Sequence, residues 1–317
     1  MKRWGWILAM TALLSPPQGR DVELTYRTRL ANPPGAAQEI HVWIPLAKSS
    51  VEQKILQRRV RSPVPYTIQQ DPEYGNDILH LRLQGPISEP LEVEVDYRAR
   101  LLGESGDPAS RPLGLEERQR HLLPRGLLVV DEEVHARSKE ATAGRPTPLA
   151  RARGIYEHVL EHMTYDKTVP GYGRGDTARA CRVGRGNCTD FHSLFISMAM
   201  AAEIPSRFKI GFVIPPERSG TLPGYHCWAE FYGEGRGWVP VDASEASKHP
   251  ERVDYYFGGH APNRFLISTG RGIQLVPAPE NGPVNILFYP YVEVNGKPYD
   301  GVETEFQFRD LRQRGSV

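Results

Sequence analysis

Behind Cys188 the residues Phe191, Leu194, Phe195, Met198 and Ala202 recur at helical spacing, while Val183-Gly184-Arg185-Gly186-Asn187 ahead of it reads as a loop. This pattern starts a helix at a thiol. Downstream, His226, Trp228 and Glu230 alternate with Cys227, Ala229 and Phe231, the period of a strand. The turn Gly233-Glu234-Gly235-Arg236-Gly237 then leads into Trp238-Val239-Pro240-Val241-Asp242, so a tight hairpin returns Asp242 towards His226. A helix tip facing a hairpin calls for an α+β fold, with the cysteine-bearing helix packed on an antiparallel sheet. Pro240 offers no amide to a ladder, which predicts an edge strand or an irregular one.

The same segments supply a thiol, an imidazole and a carboxylate in chain order. The unpaired amides and positive dipole of a helix N-terminus favour a thiolate at Cys188 and can also receive an oxyanion. His226 projects from a stiff strand as a base, and Asp242 would hold its tautomer and charge. His192 is a rival base, four residues after Cys188 on the same helix and leaning back towards it. No carboxylate partner is evident for it, so it reads as a residue lining the cleft. Asp190, in the first turn, reads as a partner of the helix dipole.

With these motifs in hand, the chain resembles the transglutaminase-like superfamily, whose papain-like cysteine chemistry runs Cys, His, Asp along the sequence. The resemblance rests on the Gly186-x-Cys188-x-Asp190 opening, the Arg207-Phe208-Lys209-Ile210-Gly211 strand after Ala202-Glu203-Ile204-Pro205, the His226-x-Trp228-x-Glu230 strand and the Trp238-to-Asp242 ending. It covers about residues 125–275, with Tyr165-Asp166 as an upstream landmark. It implies Cys188 as nucleophile, His226 as base and Asp242 as orienting carboxylate. Asn187 stands where animal transglutaminases place a glutamine and is read as lining the site. The chain has no EF-hand spacing or dense acidic loop, so calcium is not expected, and neither is any other cofactor.

His158-Val159-Leu160-Glu161-His162 matches an inverted zinc-protease pattern. The apolar residues Ile155, Tyr156, Val159, Leu160 and Met163 make the buried stripe of that helix, and no third ligand stands out. The histidines read as a helix flank, and no metal site is expected. Cys181, Cys188, His226 and Cys227 lack finger spacing. Cys181 and Cys227 are left to pair or to remain buried, with burial expected for Cys227.

The net charge of +1 gives no reason to expect a nucleic-acid partner. Lys2 and Arg3 precede an apolar stretch from Trp4 to Leu14, which reads as a signal peptide over residues 1–19, with an uncleaved anchor as the alternative. A periplasmic or secreted location follows as the expectation. Residues 20–103 alternate at Val22, Leu24 and Tyr26, at Ile40, Val42 and Ile44, at Ile78 to Leu83 and at Leu91 to Tyr97. They predict a small antiparallel β-sandwich. Residues 104–114 read as a linker and 115–275 as the catalytic core. Runs at Ile273 to Val276, Ile286 to Val294 and Thr304 to Phe308 predict, over 276–317, a β extension of the core sheet. Tyr172 and Trp228 are expected to line a substrate groove.

The expected activity is acyl transfer through a thioester on a peptide or glutamine-type amide, with a protein or peptide as partner substrate. Water as acceptor gives a hydrolase, the preferred outcome. An amine gives transamidation. A non-catalytic binding or scaffold module of the cell envelope is the alternative of another class. Oligomeric state is left open.

Overall fold

The computed structural model describes residues 19–30, 37–85, 90–103 and 112–311. The expected signal segment and most of the expected linker lie outside the described residues. In chain order the amino-terminal half carries strands β1 (Arg20–Leu30), β2 (Glu39–Leu46), β3 (Gln53–Arg61), β4 (Tyr66–Gln70), β5 (Asp77–Gln84) and β6 (Leu91–Leu101). Helices α1 (Leu115–Arg120), α2 (Glu132–Thr142) and α3 (Pro148–His162) follow. Next come β7 (Thr164–Tyr165), α4 (Thr177–Val183), β8 (Arg185–Gly186), α5 (Cys188–Ala201) and β9 (Ser206–Val213). After β10 (Ser219–Thr221), β11 (His226–Gly233), β12 (Gly237–Val241), α6 (Ala243–Lys248) and β13 (Arg264–Thr269), the chain ends in β14 (Tyr291–Val294), β15 (Lys297–Pro298) and β16 (Glu303–Asp310).

Two five-stranded antiparallel sheets, ordered β10-β16-β1-β6-β3 and β15-β14-β2-β5-β4, lie around a shared core. Alternation decides which residues face inward. Val22, Leu24 and Tyr26 of the first sheet and Ile40, Val42 and Ile44 of the second are all buried, and each such aliphatic side chain contributes about 1.5–3 kcal/mol by leaving water. β3 and β4 were not expected, because Gln53–Arg61 and Tyr66–Gln70 are polar and largely exposed. They are the outer edges of their sheets, and the lysine and arginines of β3 discourage further pairing there.

The carboxy-terminal strands correct one expectation. They do not extend the core sheet; β16 pairs with β1 and β14 with β2, both in the sandwich. The register sets Phe306 against Tyr26 and Phe308 against Leu24. Their rings thereby enter the sandwich core, where Phe306 meets Phe212 and Phe288. Ile273 makes only an isolated bridge with Val284. The segment around Ile273, Leu275 and Leu287 instead packs on Trp43 and Ile78, and the Trp43 indole donates to the Pro277 carbonyl at 2.9 Å.

The core sheet is antiparallel, ordered β12-β11-β9-β13. Pro240 lies in β12, at its edge, as a residue without an amide requires. The apolar α5 packs on one face of this sheet, with Phe195 against Phe231. The opposite face carries charge. Glu230 is paired with both Lys209 and Arg207 from β9, and Lys209 also reaches Glu52 of the sandwich at 2.7 Å. The neighbouring Gln53 side chain donates to the Leu266 carbonyl at 2.9 Å and accepts its amide at 2.8 Å. Glu52 and Gln53 thus tie the sandwich to the sheet that carries His226. Among the described residues no helix is long and apolar enough to cross a membrane.

Candidate active site

Local chemistry determines where α5 starts. α4 ends on Gly184 in the left-handed region, which reverses the chain into β8 and delivers Asn187. The Asn187 side chain accepts the Thr189 amide at 2.9 Å, and the Asp190 carboxylate accepts the Asn187 amide at 2.9 Å. This is a capping box, and it makes Cys188 the first residue of the helix. Asp190 also receives the amides of Gly173 at 2.7 Å and Gly175 at 3.2 Å, so it holds the preceding loop over the helix tip. With the Thr189 amide taken by the cap, the Cys188 amide is the one at the tip with no hydrogen-bond partner among the described residues.

His226 opens β11, and its Nε2 lies 2.7 Å from Asp242 Oδ2. With Nε2 taken by Asp242, Nδ1 is the ring nitrogen left for Cys188. Asp242 follows β12 as the N-cap of α6, a helix that its own residue pattern had not announced. Its Oδ1 accepts from the Glu245 amide at 3.0 Å and the Ser244 hydroxyl at 3.1 Å, while Oδ2 also accepts from Arg264 Nη2 at 2.6 Å. Both carboxylate oxygens are therefore fixed before the imidazole engages.

The electrostatics follow from these contacts. The Cys188 thiol is held well below the usual thiol range by a hydrogen bond from the Cys227 thiol, together with the hydrogen bond and charge of His226, against the opposing effect of burial. Burial pushes the Cys227 thiol well up, so it stays the donor of that pair. For His226, burial disfavours the imidazolium, but the charge and hydrogen bond of Asp242 and the bond to Cys188 outweigh it and raise the ring to about 9. Burial likewise opposes ionisation of Asp242, yet His226 and Arg264 keep the carboxyl well below its usual range. All three shifts favour the charged forms: a thiolate at Cys188, an imidazolium at His226 and a carboxylate at Asp242.

His192 is fully buried, and burial lowers its pKa. Contrary to expectation it does have a carboxylate neighbour, since Nε2 lies 3.7 Å from Asp242 Oδ1. That nitrogen instead accepts the Ala243 amide at 3.1 Å, which makes the ring neutral and fixes α6 to α5. Trp228 also departs from its expected place in a groove. It is buried, stacked beside His226 and lying under Arg264, so it supports the imidazole rather than touching solvent. Asn187 is buried in its cap. Tyr172 is 42% exposed on the loop whose next residue, Gly173, adjoins Asn187 and Tyr225.

Four contributors escaped the sequence reading. Arg264 stands at the start of an apolar strand, and only the β13–β9 pairing brings it to Asp242. The Tyr225 hydroxyl accepts from Asn187 Nδ2 at 3.0 Å and Thr189 Oγ1 at 3.3 Å, linking both neighbours of Cys188 to the residue before His226. Cys227 faces α5, lies 3.5 Å from Thr189 Oγ1 and meets Cys188. Arg271 is fully buried and bonds Ser193 Oγ at 2.6 Å, the Gly175 carbonyl at 2.9 Å and Asn285 Oδ1 at 2.8 Å. The three cysteines are free and buried, so Cys181 and Cys227 do not pair. In the His158–His162 pair, His162 Nε2 is engaged by the Cys181 carbonyl at 2.7 Å.

Residues 135–243, which include Cys188, His226 and Asp242, match the model of the transglutaminase-like superfamily. An uncharacterized protein from Haemophilus influenzae is 32% identical over 195 residues, covering 51% of this chain and 53% of that protein. The match thus spans about half the length of that relative. A candidate cysteine protease from Cytophaga hutchinsonii shares the fold with TM-score 0.60 at 16% identity, over 95% of this chain and 94% of the other. The periplasmic domain of TgpA from Pseudomonas aeruginosa aligns with TM-score 0.36 at 17% identity, over 76% of this chain and 94% of that domain. Residues 135–243 thus carry the match to the transglutaminase-like superfamily, and the overall fold is shared with a solved structure.

Proposed function

We propose that the protein is a cysteine-dependent acyl-transfer enzyme that opens a peptide or glutamine-type amide through a thioester and resolves it with water. The observation that carries this reading is His226 Nε2 at 2.7 Å from Asp242 Oδ2, with Cys188 at the first position of α5 close enough to shift the ring.

The Cys188 thiolate attacks the carbonyl carbon, forming the C–S bond while the π electrons move to oxygen. The free Cys188 amide at the helix tip is the donor available to that oxyanion. As the oxyanion collapses, the C–N bond breaks and the His226 imidazolium gives its proton from Nδ1 to the leaving amine. Neutral His226 then takes a proton from water, which attacks the thioester and releases the acid, and the departing thiolate recovers its imidazolium partner. Asp242 stays ionised throughout, since Arg264 and the α6 cap stabilise its charge. A primary amine in place of water would give transamidation by the same steps.

Incubation of candidate peptides with and without a primary amine, followed by mass spectrometry, tests the reading. A gain of water across a cleaved bond is expected. A mass gain matching the amine would make the enzyme a transferase. No product from any peptide, together with iodoacetamide alkylation of Cys188 no faster than an ordinary thiol, would return the fold to a binding or scaffold role.

A further inference from the structure

Beside the helix tip lies a cavity of about 330 Å³ walled by Gly173, Tyr225, Ile286, Phe288, Tyr289 and Tyr291. Its lining contains no acidic or basic side chain, and Tyr289 is 45% exposed at its rim. Cys188 and His226 do not line it; Tyr225 joins it to both. Tyr225 precedes His226 in the chain, and its hydroxyl is hydrogen-bonded to Asn187 and Thr189 on either side of Cys188.

Two features keep this cavity open and fixed. Gly173 has φ of 79°, and a Cβ there would fall 3.0 Å from Asn187 Nδ2 and 3.2 Å from the Tyr225 hydroxyl, against the junction between cavity and helix tip. The far wall is anchored to the nucleophile's own helix: Arg271 joins Asn285 to Ser193 of α5, and Asn285 Nδ2 donates to the Arg174 carbonyl at 2.9 Å. The rings of Tyr225 and Tyr289 both stand edge-on to Phe288, at 5.6 and 4.8 Å. Such a wall offers an incoming apolar side chain aromatic surface without demanding a charge in return.

Resting on the acyl-transfer reading above, we propose that this cavity is a specificity subsite that takes a large apolar or aromatic side chain of a peptide substrate, from one of the two residues leading to the carbonyl that Cys188 attacks. The occupant follows from continuity with the helix tip and from a lining that gives no counter-charge to an acidic or basic residue.

The test uses the intact protein and two pairs of N-blocked dipeptidyl chloromethyl ketones, Phe-Ala against Asp-Ala and Ala-Phe against Ala-Asp, with iodoacetamide as a probe that needs no subsite. Burying a phenyl group should make the Phe probe of at least one pair inactivate Cys188 about 10-fold or more faster than its Asp counterpart. The preference should fall to within about 3-fold in Ile286→Arg and weaken in Tyr289→Ser, a change at an exposed residue that spares the fold, while iodoacetamide rates stay at the wild-type value. Equal rates within both pairs, or a Phe preference unchanged in both variants, would overturn the subsite and leave the acyl-transfer reading standing. Slow iodoacetamide labelling of the wild type would overturn both.

Discussion

Arg264 Nη2 donates to Asp242 Oδ2 at 2.6 Å, the same oxygen that receives His226 Nε2 at 2.7 Å. One carboxylate oxygen thus joins a permanent cation to a titrating one. Arg264 contacts no reacting atom in this scheme; it is a positioning residue. Arg264→Met should lower kcat/KM about 10-fold or more, the size of a lost charge-assisted hydrogen bond. Because the Arg264 charge also works against protonation of His226, the alkaline limb of the pH profile should move up in the variant. A merely structural role would leave that limb in place.

The thiolate and imidazolium are populated together from the depressed pKa of Cys188 up to that of His226, about 9. Hydrolysis at fixed low substrate should therefore be flat through neutral pH and fall above about 9 as the imidazolium is lost. The same group bears on folding. Its pKa is raised above the ordinary 6.5, so its contribution to stability is full below about 6.5 and disappears as pH rises through about 9. Thermal melts of wild type and His226→Gln should converge between those limits.

Cys227 acts on Cys188 by donating a hydrogen bond to its sulfur. Cys227→Ala should raise the pH midpoint of Cys188 alkylation. Cys227→Ser, which keeps a donor, should restore most of the difference. An unmoved midpoint in the alanine variant would remove Cys227 from the electrostatics of the site.

Lys209 is buried between Glu52 and Glu230. Lys209→Met leaves two buried carboxylates short of a cation and should cost about 3–5 kcal/mol in chemical denaturation. Burial opposes ionisation of Glu230, but Arg207 and Lys209 lower its pKa to about 2. The sign is opposite to that of His226: the contribution is present above the ordinary value of 4.5 and is lost as pH falls towards about 2. Acid unfolding should begin at higher pH in the variant.

The residue patterns settled what lies within a few positions of each motif. The apolar stripe behind Cys188 and the glycine-containing loop ahead of it specify a helix beginning at Cys188, because helical burial repeats over each turn. The alternation from His226 and the glycine turn before Trp238 specify a hairpin, because strand period and turn geometry are also local. That was enough to bring Cys188, His226 and Asp242 into correspondence.

Tertiary structure alone decided which distant groups complete them. Arg264 reaches Asp242 through strand pairing, Cys227 meets Cys188 only when α5 lies on β11, and Tyr225 bridges the two once both are in place. The last strands joined the first ones in the sandwich because Phe306 and Phe308 could be buried there. Such choices depend on which apolar faces and buried charges find partners across the whole chain. No window of neighbouring residues contains that information.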